Sequence, residues 1–507
     1  MQPQDLVGCR FRLRQKQTYP LIPATETAKL RKLRLDKARE HVFKLFPTQP
    51  QLGDKKDFLR IDIEETPDLE LRWLNTIEAL EADADMITNP AVEVQGVFLF
   101  PIDALVRRPD GTYMPVLVTN HRVARHDLNR EIQVISTRRL GLGTPKVSHY
   151  RMKHHAVDSY TLALADRFLA ELGYGSSRGV LVGQNHELAF VLDTDYFQQG
   201  LQTAMETAIP TTPRRVKECG HCRYWQLCEA ELQQRNDISL LFPGDKAAAL
   251  QRNGVDSIEK LAKEGTGEDA VLARAYLDGV ELIRRQKTVS APRFDIEIDI
   301  DVEAYLDQGA YLWGAFDGHS YHPFVTWNEL GGEHEAANFA RFWQWLTETR
   351  NQAKANGKSI GVFCYSAHGE NHWLRGSARR FHGRYPGVPS EAEIKAFISS
   401  NEWIDVFALV KSQLMGTKGL GLKTIAPIAG HHWEEQEVDG EASVNLYLVA
   451  TGAVLRGDVL ISTSLIDAQR SLLSYNGDDC RATAAVRAFL SDNAPGVPYY
   501  EHDTPVA

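Results

Sequence analysis

Phe294-Asp295-Ile296-Glu297-Ile298-Asp299-Ile300-Asp301-Val302 alternates apolar and acidic residues without a break. A period of two is the signature of a strand with one face buried, and residues i and i+2 point to the same side. Asp295 and Glu297 therefore aim two carboxylates at one point. Such a pair is what a phosphodiester site with two divalent cations roughly 3.5–4 Å apart requires. Asp299 and Asp301 continue the alternation, which is also what a solvated sheet face would show. Outward from this stretch, Ala310 to Phe316 and His322 to Trp327 read as two further strands. Glu333 to Asn356 reads as a long helix and Lys358 to Tyr365 as a fourth strand. Helices dominate from Glu370 to the end, apart from the apolar stretch Val444 to Ala450.

The tail supplies partners for the carboxylates. In Ser474-Tyr475-Asn476-Gly477-Asp478-Asp479, Tyr475 precedes Asp479 by four residues, so the two share a helix face. Asp479 is suited to a metal and the Tyr475 hydroxyl to orienting water. Glu370, at the start of a helix after the fourth strand, is placed to add a carboxylate. Asp405 is a supporting candidate, and Lys423 reads either as a DNA contact or as a surface lysine. Three strands, a helix, a strand and then helices is the order of an RNase H-like fold. The set resembles the DEDD exonucleases of that superfamily, in the subclass with Tyr-x3-Asp. The resemblance implies catalytic roles for Asp295, Glu297, Glu370, Tyr475 and Asp479, with Mg²⁺ or Mn²⁺ held by Asp295, Glu297, Glu370 and Asp479. Glu370 departs from the pattern, which usually has Asp there, and the longer side chain would alter the metal geometry.

The first 235 residues mix helical and strand patterns. Ala28 to Phe46 reads as a basic helix and Leu69 to Ala82 as a second. Val92 to Leu99 and Tyr113 to Val118 read as strands flanking a turn at Pro109-Asp110-Gly111, and Tyr160 to Leu172 as a helix stopped by Gly173. Cys219-Gly-His-Cys222-Arg-Tyr-Trp-Gln-Leu-Cys228 places three thiols in one short segment, and Cys9 is a distant fourth. Thiolate sets of this kind suit zinc, with His221 as an alternative ligand, or an iron–sulfur cluster. One early cysteine followed by a late C-x2-C-x5-C resembles the iron–sulfur nucleases of the PD-(D/E)XK class, RecB-like members included. That resemblance implies a [4Fe–4S] cluster on Cys9, Cys219, Cys222 and Cys228, joining the two ends of a restriction-endonuclease-like domain. Cys364 and Cys480 read as small buried residues.

The catalytic pattern of that class is incomplete here. Asp103 stands where the first carboxylate belongs, and His41 matches a helix histidine that accompanies such sites. Leu117 and Thr119 occupy the positions of the Asp/Glu and the Lys. The expectation is a domain that has lost cutting and keeps a scaffolding or DNA-binding role, with Asn120, His121 and Arg122 able to meet phosphate.

Length and charge frame these readings. The chain has 507 residues and a net charge of −10, which does not describe a generic nucleic-acid binder. Basic residues are nevertheless clustered: 11 Lys/Arg against 3 Asp/Glu from Arg10 to Lys44, and 8 against 2 from Arg122 to Lys153. Six cysteines make no disulfide framework. No apolar run is long enough for a membrane span, and the start carries no signal-peptide pattern, so the expected location is the cytosol. The expected domains are 1–235, an iron–sulfur PD-(D/E)XK-like domain; 236–288, wholly helical; and 289–507, RNase H-like. Around Gly254-Val255 the middle segment resembles a helix-hairpin-helix, with a plain helical linker as the alternative.

Taken whole, the chain resembles RecB-like nucleases that join these parts. The resemblance implies a metal-dependent 3′→5′ exonuclease of nucleic-acid processing or repair, acting on single-stranded or end-containing DNA, with RNA as another substrate. Two alternatives stand beside it. One is a non-catalytic iron–sulfur DNA-binding or redox-responsive factor. The other is cutting by the N-terminal domain through Asp103 and His121.

Overall fold

The computed structural model describes residues 1–50, 57–433, 440–452 and 463–501. The chain divides into two units, Met1–Glu231 and Leu232–Ala507. Among the described residues no helix is long and apolar enough to cross a membrane.

The first unit runs α1 (Phe11–Thr18), α2 (Glu26–Leu45), β1 (Arg60–Asp62), α3 (Leu69–Glu81), β2 (Met86–Thr88), β3 (Ala91–Val94), β4 (Phe98–Pro101), β5 (Ala104–Arg107), β6 (Tyr113–Val118), β7 (Ala124–His126), β8 (Ile132–Ser136), β9 (Lys146–Ser148), β10 (Tyr150–Met152), α4 (Ala156–Glu171), β11 (Arg178–Val182), β12 (Leu188–Asp193) and α5 (Asp195–Glu206). Helix α6 (Trp225–Gln234) follows. Eight strands form one mixed sheet in the order β1-β2-β5-β6-β11-β12-β8-β9, parallel only at β1/β2 and β6/β11. Strand β6 is apolar at nearly every position because both its faces are covered. Leu162, Ala165 and Leu169 of α4 pack on one face, and Val42 of α2 with Phe46 on the other. The expected strand Val92 to Leu99 is instead a hairpin. Gln95 and Gly96 take φ of 56° and 63°, the left-handed pair that lets the Val97 N–H donate to the Val94 carbonyl at 3.1 Å and close the turn. The strands flanking the turn at 109–111 are β5 and β6.

The second unit begins with α7 (Asp245–Arg252), α8 (Ile258–Glu264), α9 (Gly267–Leu277) and a short strand β13 (Leu282–Arg284), so the segment 236–288 is not wholly helical. There follow β14 (Ile296–Tyr305), β15 (Gly309–Phe316), β16 (Tyr321–Val325), α10 (Glu333–Ala355), β17 (Ile360–Cys364), α11 (His368–Phe381), α12 (Glu391–Ile398), β18 (Trp403–Asp405), α13 (Val406–Gln413), β19 (Leu414–Gly416), α14 (Leu422–Ile428), α15 (Gly440–Ala450) and α16 (Leu465–Ser491). Val444 to Ala450, set apart from the helices on sequence, lies in α15. The helical expectation at 434–439, 453–462 and 502–507 falls outside the described residues.

Strands β14 to β18 make one sheet in the order β16-β15-β14-β17-β18, with β14, β17 and β18 parallel and β15 antiparallel to its neighbours. Counted along the chain, the order is 3-2-1-4-5. Ile298 and Ile300 of β14 lie under α10 and α11, in a core where Trp313 stacks at 4.9 Å on Phe342. The acidic residues of β14 consequently face the other way, toward α16.

Candidate metal centre

Strand β14 continues to Tyr305 rather than ending near Val302, so its acidic face carries Glu297, Asp299, Asp301 and Glu303, with Asp295 just before its first residue. Like charges so aligned need neutralising, and α16 divides them. Arg487, itself 5% exposed, donates to both oxygens of the fully buried Asp299, at 3.3 and 2.9 Å, and pairs with Glu297. Burial pushes the Asp299 carboxyl up to about 6 even against this guanidinium. Burial also pushes Glu297 upward, but the Phe294 N–H, Arg487 and Arg293 together hold it below the usual carboxylate range. Asp295 is exposed just before the strand. Its carboxylate accepts from the Ser359 N–H at 2.8 Å and hydroxyl at 2.7 Å, which keeps it low.

The last two carboxylates of the face meet the tail helix differently. Asp301, Glu303 and Asp479 each bring a ligand oxygen within 4.8 Å of the others. The Asn476 amide donates to one oxygen of Asp301 at 2.7 Å, and the Tyr321 hydroxyl donates to the Asn476 carbonyl at 2.6 Å, which fixes the amide's direction. Gly314, opposite Asp301 in the β15 register, leaves the room for this: a Cβ there would stand 1.8 Å from Asn476 Oδ1. The Trp433 indole donates to Asp479 at 2.8 Å, and the Tyr475 ring lies 4.7 Å from the Lys423 ammonium. Glu370, in the first turn of α11, is 6% exposed and raises Asp301 and Glu303 by its charge. Its Oε2 is buried with no hydrogen-bond partner among the described residues.

Burial lifts the whole group, and the charges of Asp479 and Glu370 add to it at Asp301 and Glu303. Asp301 is raised well above its ordinary value, Glu303 to about 8, Glu370 to about 7 and Asp479 to about 6, with burial the largest cause for each. Burial and the neighbouring Asp479 also raise the Tyr475 hydroxyl, which stays protonated. Carboxylates so placed favour either protons or a cation.

Of the residues singled out on sequence, Tyr475, Asp479 and Glu370 thus lie at this cluster. Asp295 and Glu297 do not: Ser359 and the two arginines engage them, and the Asp-x-Glu pair that reaches Asp479 is Asp301-Val302-Glu303, farther along the same strand. Asp405 caps the start of α13 and accepts from the Ser366 and Ala367 N–H groups, so it shapes the turn before Glu370.

Residues 294–491 match the RNase H superfamily model, RNase_H_2. The region with the 3-2-1-4-5 sheet is RNase H-like, and the carboxylate cluster lies within it. No curated protein and no solved structure matches the chain.

In the first unit Asp103 is buried, accepts from the Val118 N–H at 2.7 Å and is paired with Arg39 of α2. Leu117 continues the apolar strand, and the Thr119 hydroxyl binds His121 Nδ1 at 2.7 Å. His121 Nε2 lies 2.9 Å from Asp158, and the His121 ring 3.9 Å from that of His155. His41 lies 4.9 Å from the His186 ring, centroid to centroid.

Cys9, Cys219, Cys222 and Cys228 line one pocket, rimmed by Arg12, Lys16, Arg214 and Arg223. The Val216 N–H donates to Cys219 Sγ at 3.3 Å and the Gln15 amide to Cys228 Sγ at 3.5 Å. Burial raises the thiols of Cys9 and Cys219, and pushes Cys228 up to about 11. Cys364 and Cys480 are fully buried in the second unit.

Proposed function

We propose that the chain is a metal-dependent nuclease whose reaction centre is Asp301, Glu303, Asp479 and Glu370, with 3′→5′ exonuclease polarity by resemblance. The observation that carries this is the convergence of three carboxylates within 4.8 Å at the end of a face whose other acids are already engaged by Arg487, Arg293 and Ser359. Bound there, Mg²⁺ or Mn²⁺ would activate water for attack on phosphorus and stabilise the departing oxygen. The protein's own groups have distinct tasks. Asn476 occupies one oxygen of Asp301 and leaves the other to a cation. The orphaned Oε2 of Glu370 is a further ligand. Tyr475, held protonated, orients the water, and Lys423 adds positive charge on the side where a phosphate would lie.

The cluster's proton affinity gives a direct test. These carboxylates have folded pKa values above the ordinary ~4 of an unfolded chain. Their protonated forms support the fold at acid pH, and that support is lost as pH rises toward the folded values of about 6 to 8. Metal-stripped protein is expected to melt at progressively lower temperature from pH 5 to pH 8. Mn²⁺ should raise the melting temperature by several degrees, most at pH 8, and the wild-type chain should degrade labelled oligonucleotides only with divalent metal. A metal-insensitive melting curve at every pH, together with no hydrolysis, contradicts the proposal.

We further infer that Cys9, Cys219, Cys222 and Cys228 hold a [4Fe–4S] cluster. Four thiols around one pocket, N–H···S hydrogen bonds and a basic rim all suit an anionic cluster. Protein purified without oxygen is expected to show broad visible absorption that Cys228→Ser removes. A colourless protein containing zinc would instead assign the site to that metal.

In the same unit the arrangement supports a PD-(D/E)XK-like scaffold. Strands β2, β5 and β6 form an antiparallel meander, and α4 crosses to β11 parallel to β6. Arg39 stands at Asp103 where such a site would place its cation, so this unit is read as gripping DNA or RNA rather than cutting it.

A further inference from the structure

Strands β7 and β10 form a separate two-stranded antiparallel ribbon on the first unit. One face is spoken for. Ala124, Tyr150 and Met152 pack on the unit's core, with the Tyr150 ring 5.3 Å from Phe190 and 5.7 Å from His126. The strand period then turns Arg125 and Arg151 outward. The register places these two directly opposite each other, and both are exposed. Directly opposed side chains have their Cβ atoms only ~4.5–5.5 Å apart, and like charges in that position destabilise a sheet. Neither guanidinium has a carboxylate partner among the described residues. Exposed Arg130, His149 and Lys153 extend the same segment. Its nearest acid, Asp127, accepts from the Asn129 N–H at 3.0 Å and so closes the turn.

A like-charged pair without an ion-pair partner among the described residues is the reverse of what stability alone selects, and it is relieved by a polyanion. We propose that the Arg125–Arg151 ribbon binds the phosphodiester backbone of nucleic acid, each guanidinium taking phosphate oxygens through its planar fork. Backbone phosphate is the target because two guanidiniums opposed on an exposed two-stranded ribbon read charge rather than base identity. This goes beyond the nuclease reading by naming the element that holds the substrate, and it rests on that reading for the substrate class.

The test is fluorescence anisotropy of the full chain with an end-labelled oligonucleotide in EDTA, single-stranded and duplex in separate arms, between 50 and 200 mM salt. Replacing both residues (Arg125→Ser with Arg151→Ser) is expected to weaken binding about tenfold at the low-salt end. It should also flatten the log K against log salt slope by about 1.4–1.8, the share of two phosphate contacts. The melting temperature should stay the same or rise, since a repulsion is removed. The pair Arg125→Lys with Arg151→Lys should keep the slope. Unchanged affinity and slope, a wild-type chain that binds no oligonucleotide in EDTA, or a serine variant that melts well below wild type would each overturn the proposal. Ribbon-dependent binding in a chain that hydrolyses nothing with Mn²⁺ would sink the nuclease reading and uphold this one.

Discussion

Asp301→Asn is expected to abolish metal-dependent hydrolysis, while Asp295→Ala leaves it within about twofold of wild type, in the range of an ordinary surface change. The contrast comes from position on one strand. Asp301 shares a cation-sized space with Glu303 and Asp479, whereas Asp295 is exposed and hydrogen-bonded to Ser359. A carboxylate that holds a Lewis-acid cation is worth several kcal/mol in the transition state, and ~4 kcal/mol is roughly a thousandfold in rate. Asn keeps the shape of Asp301 and can still meet the Asn476 amide, so the fold should persist and the loss should fall on kcat and on the Mn²⁺ concentration needed. Single-turnover cleavage of a labelled oligonucleotide over a Mn²⁺ titration measures both. Equal losses in the two variants would mean that the reacting centre lies elsewhere on the strand.

Removal of Arg487 should be the most damaging change to stability. The guanidinium and Asp299 are both almost fully buried, and Glu297 shares the same cation. Taking one member from a buried pair leaves an uncompensated charge and costs about 3–5 kcal/mol, far more than the pair's net worth against an apolar replacement. Urea unfolding of Arg487→Ala is expected to show that loss near pH 8. The loss should shrink toward pH 5. Burial already holds Asp299 at about 6 with the arginine present, and without it the carboxyl takes up a proton more readily. Adding Asp299→Asn to Arg487→Ala should recover much of the stability. A loss below about 1 kcal/mol, or one indifferent to pH, would mean that water reaches the pair.

The sheet of the second unit was legible because β14 obeys a period of two over a long run and β15 is an unbroken apolar run closed by Asp317-Gly318. The three-residue strands β13 and β18 were not, since a run so short carries no period. Val444 to Ala450 was set apart because a short stretch that is apolar at all but Asn445 has no helical stripe to read. The site was half legible. Tyr475 and Asp479 announce themselves by helical spacing, and Glu370 by following a strand. The choice among five equivalent acids in and just before β14 was not available from the sequence, since Asp295-x-Glu297 and Asp301-x-Glu303 have the same form. What separates them is Arg487, whose partners nearly two hundred residues away depend on where α16 crosses the sheet. In the first unit, the mismatch at Leu117 and Thr119 was visible, while the pairing of Arg39 with Asp103 was not.

Gly314 has an implication for how relatives of this chain should be judged. It has no side chain to donate or to bind, yet a single methyl group there would collide with Asn476, which is fully buried and hydrogen-bonded on both sides. A protein could therefore keep every acid of the cluster and still fall silent through an alanine on the adjoining strand. Counting carboxylates would score such a sequence as competent, so the inspection has to include the bare position beside them.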